Sequence, residues 1–298
     1  MRLSDIFPRD VLVKRNGDVM SLDEIEATSP RALVYAENLI AVRLANANPN
    51  VGAILTKPSL ERFVAAEKGC ALTDDPRLAF FSLYLALPTV WGDAEPSGDI
   101  AASAVVHPTA QIGEGVRIGE QVRIGPLALI EPGTSIGDGC IIGPGARIGV
   151  DGLFVLRKHG ALVHVRHRGG VAVGRNTQIL ANAVVARALF RTPTSIGDDC
   201  LIGIAASIGH GAWIGDGSVV TGGCIVGGRC KIGRGVHIGI HSAIAPGLVV
   251  GDDAQIKMGS IVIDDVAAGQ VVSGNFARPH LANLQSGHLR QRRPEATE

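Results

Sequence analysis

Between Ile100 and Val262 an aliphatic residue returns at every sixth position. The first run is Ile100, Val106, Ile112, Ile118, Ile124, Ile130, Ile136, Ile142 and Ile148. After an interruption come Val173, Ile179 and Val185. A third run holds the step from Ile196 through Ile202, Ile208, Ile214, Val220, Val226, Ile232, Ile238, Ile244, Val250 and Ile256 to Val262, where the ladder is expected to end. Neither an amphipathic helix nor a strand alternating in and out gives this period. A hexapeptide step sustained over such a length specifies a parallel β-helix, here of about eight coils.

Two positions before most of these residues stands a small or modest side chain, for example Ala110, Cys140, Ala183, Ala206 and Ser218. Residues two apart on a strand share a face. Each hexad therefore turns one small and one large side chain inward before a corner, and three such edges close a triangular coil. Glycine follows the aliphatic residue in many hexads (Gly119, Gly197, Gly215), which suits a tight corner.

Residues 1–99 lack the step. Apolar runs such as ALVYAE and VGAILT alternate with the helix-favouring PSLERFVAAEKG and DPRLAFFSLYLAL, which predicts a small α/β domain. Pro88 and WGDAEPSGD mark its end. The β-helix is expected over 100–264, with insertions at 149–172 and 186–195 where the period breaks. Loops thrown out of a solenoid cluster on its binding face. A cap and polar tail are expected over 265–298.

Composition narrows the function class. Lys and Arg number 28 and Asp and Glu number 28, which argues against a nucleic-acid footprint. Aromatic residues are 4% and glycines 39, as a narrow β-helix requires. No apolar run is long enough to span a membrane, and the opening MRLSDIFPRD does not read as a signal peptide. Cys140, Cys200, Cys224 and Cys230 occupy the small inward slot. They read as buried thiols in a reduced, cytoplasmic setting, with no disulfides expected.

LVYAEN with VGAILT and DDPRLAFFSLY, IGVDGLFV with HRGGVAVGRNTQI, and SIGHGAWIGDG together resemble the UDP-3-O-acylglucosamine N-acyltransferase family of lipid A biosynthesis over nearly the whole chain. The resemblance implies a left-handed prism, a homotrimer with active sites in the clefts between prisms, and no cofactor. It implies a 3-hydroxyacyl chain on acyl carrier protein as donor and the amine of a UDP-linked amino sugar as acceptor. His210 then matches the catalytic histidine. An imidazole titrates in the range needed to take the amine proton as nitrogen attacks a thioester, and Gly209 or Gly211 would let a backbone N–H meet the oxyanion. Tyr35 and Asn38 match the residues that hold the uracil ring, and Arg187 matches a substrate-binding arginine.

The chain departs from that family at Leu39, Ile40 and Ala41, where Pro-Lys-Tyr is common, at Ala186 and Gly247, and at Gly203, where the family has the acid that accompanies the histidine. Read without the resemblance, His210 is an exposed corner histidine, and Tyr35 and Asn38 are an edge aromatic and a turn amide. Arg166, His167 and Arg168 form a basic knot, either for a pyrophosphate or an acidic carrier or simply solvated. Arg290, Arg292 and Arg293 could touch the carrier or fray as a tail.

Three alternatives stay open. One is an acyl-CoA-dependent N-acyltransferase on another nucleotide amino sugar, for which the ending VVSGNFARPH, with Phe276, speaks. Another is a prism that binds without turnover. The third is a trimeric zinc enzyme using His237 and His241, whose spacing does not match the gamma-type carbonic anhydrases; no metal site is expected.

Overall fold

A computed structural model describes residues 1–7, 11–87, 98–158 and 160–274. The expected domain boundary around Pro88 and the polar tail with Phe276, Arg290, Arg292 and Arg293 lie outside the described residues.

From residue 99 onward the chain winds through three parallel sheets of nine, eight and eight short strands. This is the expected left-handed β-helix, its parallel coils read from the hexads and its hand implied by the resemblance. Successive coils stack the ladder residues on one another: Ile124 pairs with Ile142, Ile202 with Val220, Ile208 with Val226. The ladder pairing resumes across the insertions, Ile148 meeting Val185 and Val173 meeting Ile196, with a bulge after Ile148 where Val150 pairs with Ala186. The ladder and small-slot residues form one continuous buried core, from Val116 to Val266. Each fully buried isoleucine contributes about 2 kcal/mol relative to exposure. The four inward cysteines are buried free thiols, and burial pushes the Cys140 thiol up to about 11.

One expectation about the prism is corrected. The ladder does not end at Val262: Val266 bridges to Val250, and Val271 and Val272 pair with Gln255 and Ile256. This last coil is two residues short, which hides it from a strict six-residue reading. The glycine after the aliphatic residue does stand at the corner, though the backbone of Gly119, Gly197 and Gly215 is not left-handed. Positive φ falls two positions later, at Gln121, Asn176, Ala205 and Arg229 among others. The glycine is needed because the next coil passes too close for a side chain. A Cβ on Gly209 would lie 2.4 Å from Gly228 N.

The N-terminal residues form α1 (Leu3–Ile6), β1 (Leu12–Arg15), β2 (Ser21–Leu22), β3 (Ala32–Ala36), α2 (Leu39–Ala47), β4 (Val51–Thr56), β5 (Gly69–Leu72) and α3 (Pro76–Ala86). The sheet order is β1-β5-β4-β3-β2, parallel except for β1. Alternation along β3 and β4 divides the core. Val34 and Ile54 face one cluster with Val42 and Ala45 of α2, while Leu33 and Leu55 face another with Phe80, Phe81 and Tyr84 of α3.

The second cluster does not stop at the domain. It takes in Leu156 and Val165 of the first insertion and Leu189 and Phe190 of the second. The Tyr84 hydroxyl donates to the carbonyls of Leu189 (2.8 Å) and Arg166 (3.1 Å). The two insertions are thus the dock on which the N-terminal domain sits, and their folding sets what lies between domain and prism.

Candidate active site

His210 follows Ile208 and Gly209 at a corner of the prism, and its backbone is held from both sides. Its carbonyl accepts from Arg229 N (2.8 Å) on the next coil, and Gly211, with φ +64°, donates its N–H to Thr194 Oγ1 (2.8 Å). The ring points out of the prism core, as its place in the hexad requires, but not into open solvent. The first insertion, which carries the hairpin Val155–Lys158 and Ala161–His164, roofs it over.

The ring of Phe154 stands edge-on at 6.3 Å between centroids and that of His167 at 5.0 Å. Two glycines make the slot. A Cβ on Gly152 would fall 3.2 Å from His210 Cβ, and one on Gly228 would fall 2.7 Å from Nε2. Of the two ring nitrogens, Nδ1 is buried without a hydrogen-bond partner. Burial, then the neighbouring His167 and Arg229, push the His210 pKa down to about 4. At neutral pH the imidazole is therefore uncharged, the form that can accept a proton.

Beside this corner is a cavity of about 650 Å³, walled by three parts of the chain. The N-terminal domain gives Asp23, Glu24, Tyr35 and Asn38; the second insertion gives Phe190 and Pro193; the prism gives Gly211, Trp213, Arg229 and Lys231. Tyr35 leans on Phe80 and Phe81 at 5.1 and 5.6 Å, and burial raises the pKa of its phenol. Asn38 caps α2: its Oδ1 accepts from Ala41 N at 2.9 Å. That bond engages the amide oxygen, so Nδ2 is the group left to meet a ligand acceptor. Burial also raises the carboxyl pKa values of Asp23 and Glu24, with Arg229 working against it at Glu24.

His210 adjoins this cavity through Gly211 and Arg229 without lining it, and the remaining sequence candidates lie elsewhere. Arg187 is absent from the cavity lining. Its Nε donates to Gly149 O (2.5 Å) and its Nη2 to Pro132 O (2.7 Å), so it clamps the base of the first insertion. Of the basic knot only Arg166 is exposed. His167 is 3% exposed, and Arg168 stacks over the Tyr84 ring at 4.3 Å while donating to Leu87 O. His237 is an exposed strand residue and His241 an exposed corner residue with φ 55°. Among the described residues no group of three metal-ligating side chains converges.

Gly203, the position of the missing acid, packs directly on the next coil, where a Cβ would lie 2.5 Å from Gly222 N. Sequence reasoning missed His167 as a neighbour of His210. It also missed the ion pair of Arg229 with Glu24. No local signal joins residues so far apart in the chain.

The model for bacterial transferase hexapeptide (six repeats) matches residues 115–149, and that for the hexapeptide repeat of succinyl-transferase matches 193–228 and 229–263. A curated relative, the UDP-3-O-acylglucosamine N-acyltransferase of Campylobacter curvus (strain 525.92), is 33% identical over 280 residues, 87% of each chain. Similar solved structures include a UDP-N-acetylglucosamine acyltransferase from Campylobacter jejuni, 22% identical over 63% of this chain and 77% of that one with a TM-score of 0.43. The UDP-N-acetylglucosamine O-acyltransferase of Moraxella catarrhalis RH4 is 24% identical over 64% and 76%, with a TM-score of 0.41.

Proposed function

The chain belongs to the UDP-3-O-acylglucosamine N-acyltransferase family, and we propose that it transfers an acyl chain to the amine of a UDP-linked amino sugar, with His210 as the general base. The identity to the Campylobacter curvus relative along 87% of both chains carries this reading. The site geometry supports it. A half-buried tyrosine and a free amide N–H suit the face and the carbonyl edge of a pyrimidine. The cavity they line extends to Gly211 and Arg229, the two residues whose backbones bracket His210.

In the proposed reaction the sugar nitrogen attacks the thioester carbonyl of the donor. His210 Nε2 takes the amine proton as the C–N bond forms. It returns that proton to sulfur as the C–S bond breaks, so no acyl-enzyme and no cofactor is needed. The N–H groups of Gly209 and Gly211, expected to meet the oxyanion, are already donated to Val226 O and Thr194 Oγ1, so another donor must serve it. The donor we propose is a 3-hydroxyacyl chain on acyl carrier protein. We also propose a homotrimer, a cytoplasmic setting, and a division into an N-terminal domain over 1–99, a prism from 100 that takes in Val266 and Val272 beyond the expected end at 264, and a tail. No helix of the described residues is long and apolar enough to cross a membrane.

The test offers purified protein a UDP-3-O-acyl-glucosamine with either a 3-hydroxyacyl carrier protein or acetyl-CoA, and reads the product by mass spectrometry. Amide formed from the carrier-bound acyl chain is expected. Amide formed only from acetyl-CoA would overturn the donor, and no amide from either would overturn the reading.

A further inference from the structure

We propose that His167 is the positioning residue of His210: its imidazole accepts the Nδ1–H of His210 and so fixes the tautomer that leaves Nε2 free to take a proton. The functional meaning rests on the acyl-transfer reading above; the geometry does not.

Three imidazole nitrogens are buried here without partners: Nδ1 of His210 and both nitrogens of His167. A buried polar group left unpaired costs about 1–3 kcal/mol. Such groups in one dry slot, on rings whose centroids are 5.0 Å apart, point to each other as the remedy. A neutral imidazole carries one donor and one acceptor, so two neutral rings can make one N–H···N bond between them. The centroid spacing suits that bond, and a turn about χ2, a broad torsion for histidine, brings the two nitrogens to face each other.

The charges around the pair favour this assignment. The groups acting on His210 are His167 and Arg229, and both disfavour its protonation; no carboxylate acts on it. Around His167 are Asp151, His164 and Arg187, with the Val165 carbonyl close enough to favour the charged form but without a hydrogen bond of normal geometry. Burial outweighs the pull of Asp151 and keeps His167 neutral, hence able to accept.

His167 is also held firmly. The Arg166 carbonyl accepts from Tyr84 Oη, Arg168 N donates to Leu189 O (3.3 Å) and Gly169 N to Ala188 O (2.9 Å). The first insertion thereby delivers, from above, an orienting group that the prism cannot supply at Gly203, where stacking leaves no room for a side chain.

The experiment compares the parent with His167→Phe and His167→Gln, using steady-state kinetics and 15N NMR of the His210 ring in ligand-free protein. Circular dichroism first establishes that each variant is folded. His167→Phe keeps the bulk and removes the acceptor. It is expected to lower kcat by about tenfold or more, to leave KM within about twofold of the parent, and to shift the His210 ring nitrogens toward a mixture of tautomers. His167→Gln offers an amide oxygen and is expected to restore most of kcat and the parent tautomer. Unchanged His210 ring signals in His167→Phe would overturn the assignment, as would parent-like kcat. Should that variant not fold, His167→Gln alone decides, because loss of the parent tautomer there also overturns it. If the parent shows no acyl transfer, the proposed function fails while the NMR arm still decides whether His167 orients His210.

Discussion

Arg229 Nε lies 2.8 Å from Glu24 Oε1, an ion pair between the coil that carries the His210 carbonyl contact and the end of the N-terminal sheet. The N–H does not aim well at the oxygen, so the attraction is ionic rather than a well-formed hydrogen bond. With side chains 39% and 29% exposed, solvent screens it, and a coupling of at most about 1 kcal/mol is expected. A double-mutant cycle of Glu24→Gln and Arg229→Gln, followed by urea unfolding, measures it. Strict additivity would show that the pair does not join domain to prism.

Asn38 separates capping from binding. Its Oδ1 caps α2, whereas Nδ2 is the group available to a ligand. Asn38→Asp keeps a good N-cap and removes the donor. The expected result is parent-like thermal stability with a raised KM for the UDP-sugar. Asn38→Ala should raise KM and also cost about 1 kcal/mol of stability. Nucleotide affinity unaltered in Asn38→Asp would remove Asn38 from the site.

Two glycines give opposite outcomes. Gly228→Ala places a methyl 2.7 Å from His210 Nε2, at the far end of a side chain that can swing away. A folded protein with kcat reduced about tenfold or more is expected, since displaced catalytic geometry is costly. Gly169→Ala would put a Cβ 1.8 Å from Phe190 O, which is backbone, in the dock between the insertions. Loss of folded protein is expected there, read by thermal unfolding. A Gly228→Ala protein as active as the parent would mean the ring is not where catalysis needs it.

The same close stacking predicts that Gly203→Asp does not supply the missing acid. A Cβ there meets Gly222 N at 2.5 Å, so coils must part before any carboxylate reaches His210. Lower stability with no gain in kcat is expected; a gain in kcat would show that the prism yields at this corner.

His210 should titrate well below an ordinary histidine. Its pKa is held near 4 against an ordinary 6.5, so between those values the unfolded chain binds a proton that the folded chain refuses. Its contribution to stability is therefore present above about pH 6.5 and is lost as pH falls toward 4. Asp23 and Glu24, raised by burial, act in the opposite sense and favour folding as pH falls. The site-specific check is 13C-labelled histidine NMR, with a His210 midpoint near 4 expected; a midpoint at or above 6.5 would contradict the roofed, dry setting.

The prism was legible because its coils repeat one local rule: an isoleucine or valine every sixth residue turns inward, buried from Ile118 to Val262 and less covered at the first coil. The last coil was not, because its shortening moves Val266 and Val272 off that step. His210 was legible as a corner residue, but its roof was not. The first insertion sets Phe154 and His167 against its ring and is held by Leu156 and Val165 in one cluster with Phe80, Phe81 and Tyr84, which no local pattern encodes. His167, read from its arginine neighbours, passes for solvated; only the packed insertions show it buried. Arg187 kept the residue type that resemblance assigns to substrate, yet its guanidinium is engaged on two carbonyls of its own chain.

The most direct measurement is the rate of amide formation from a 3-hydroxyacyl carrier protein and a UDP-linked amino sugar, in the parent and in His210→Ala. A parent that turns over and a folded His210→Ala protein at least about a hundredfold slower is the expected result. Equal rates in the two proteins would contradict the assignment of proton transfer to this imidazole.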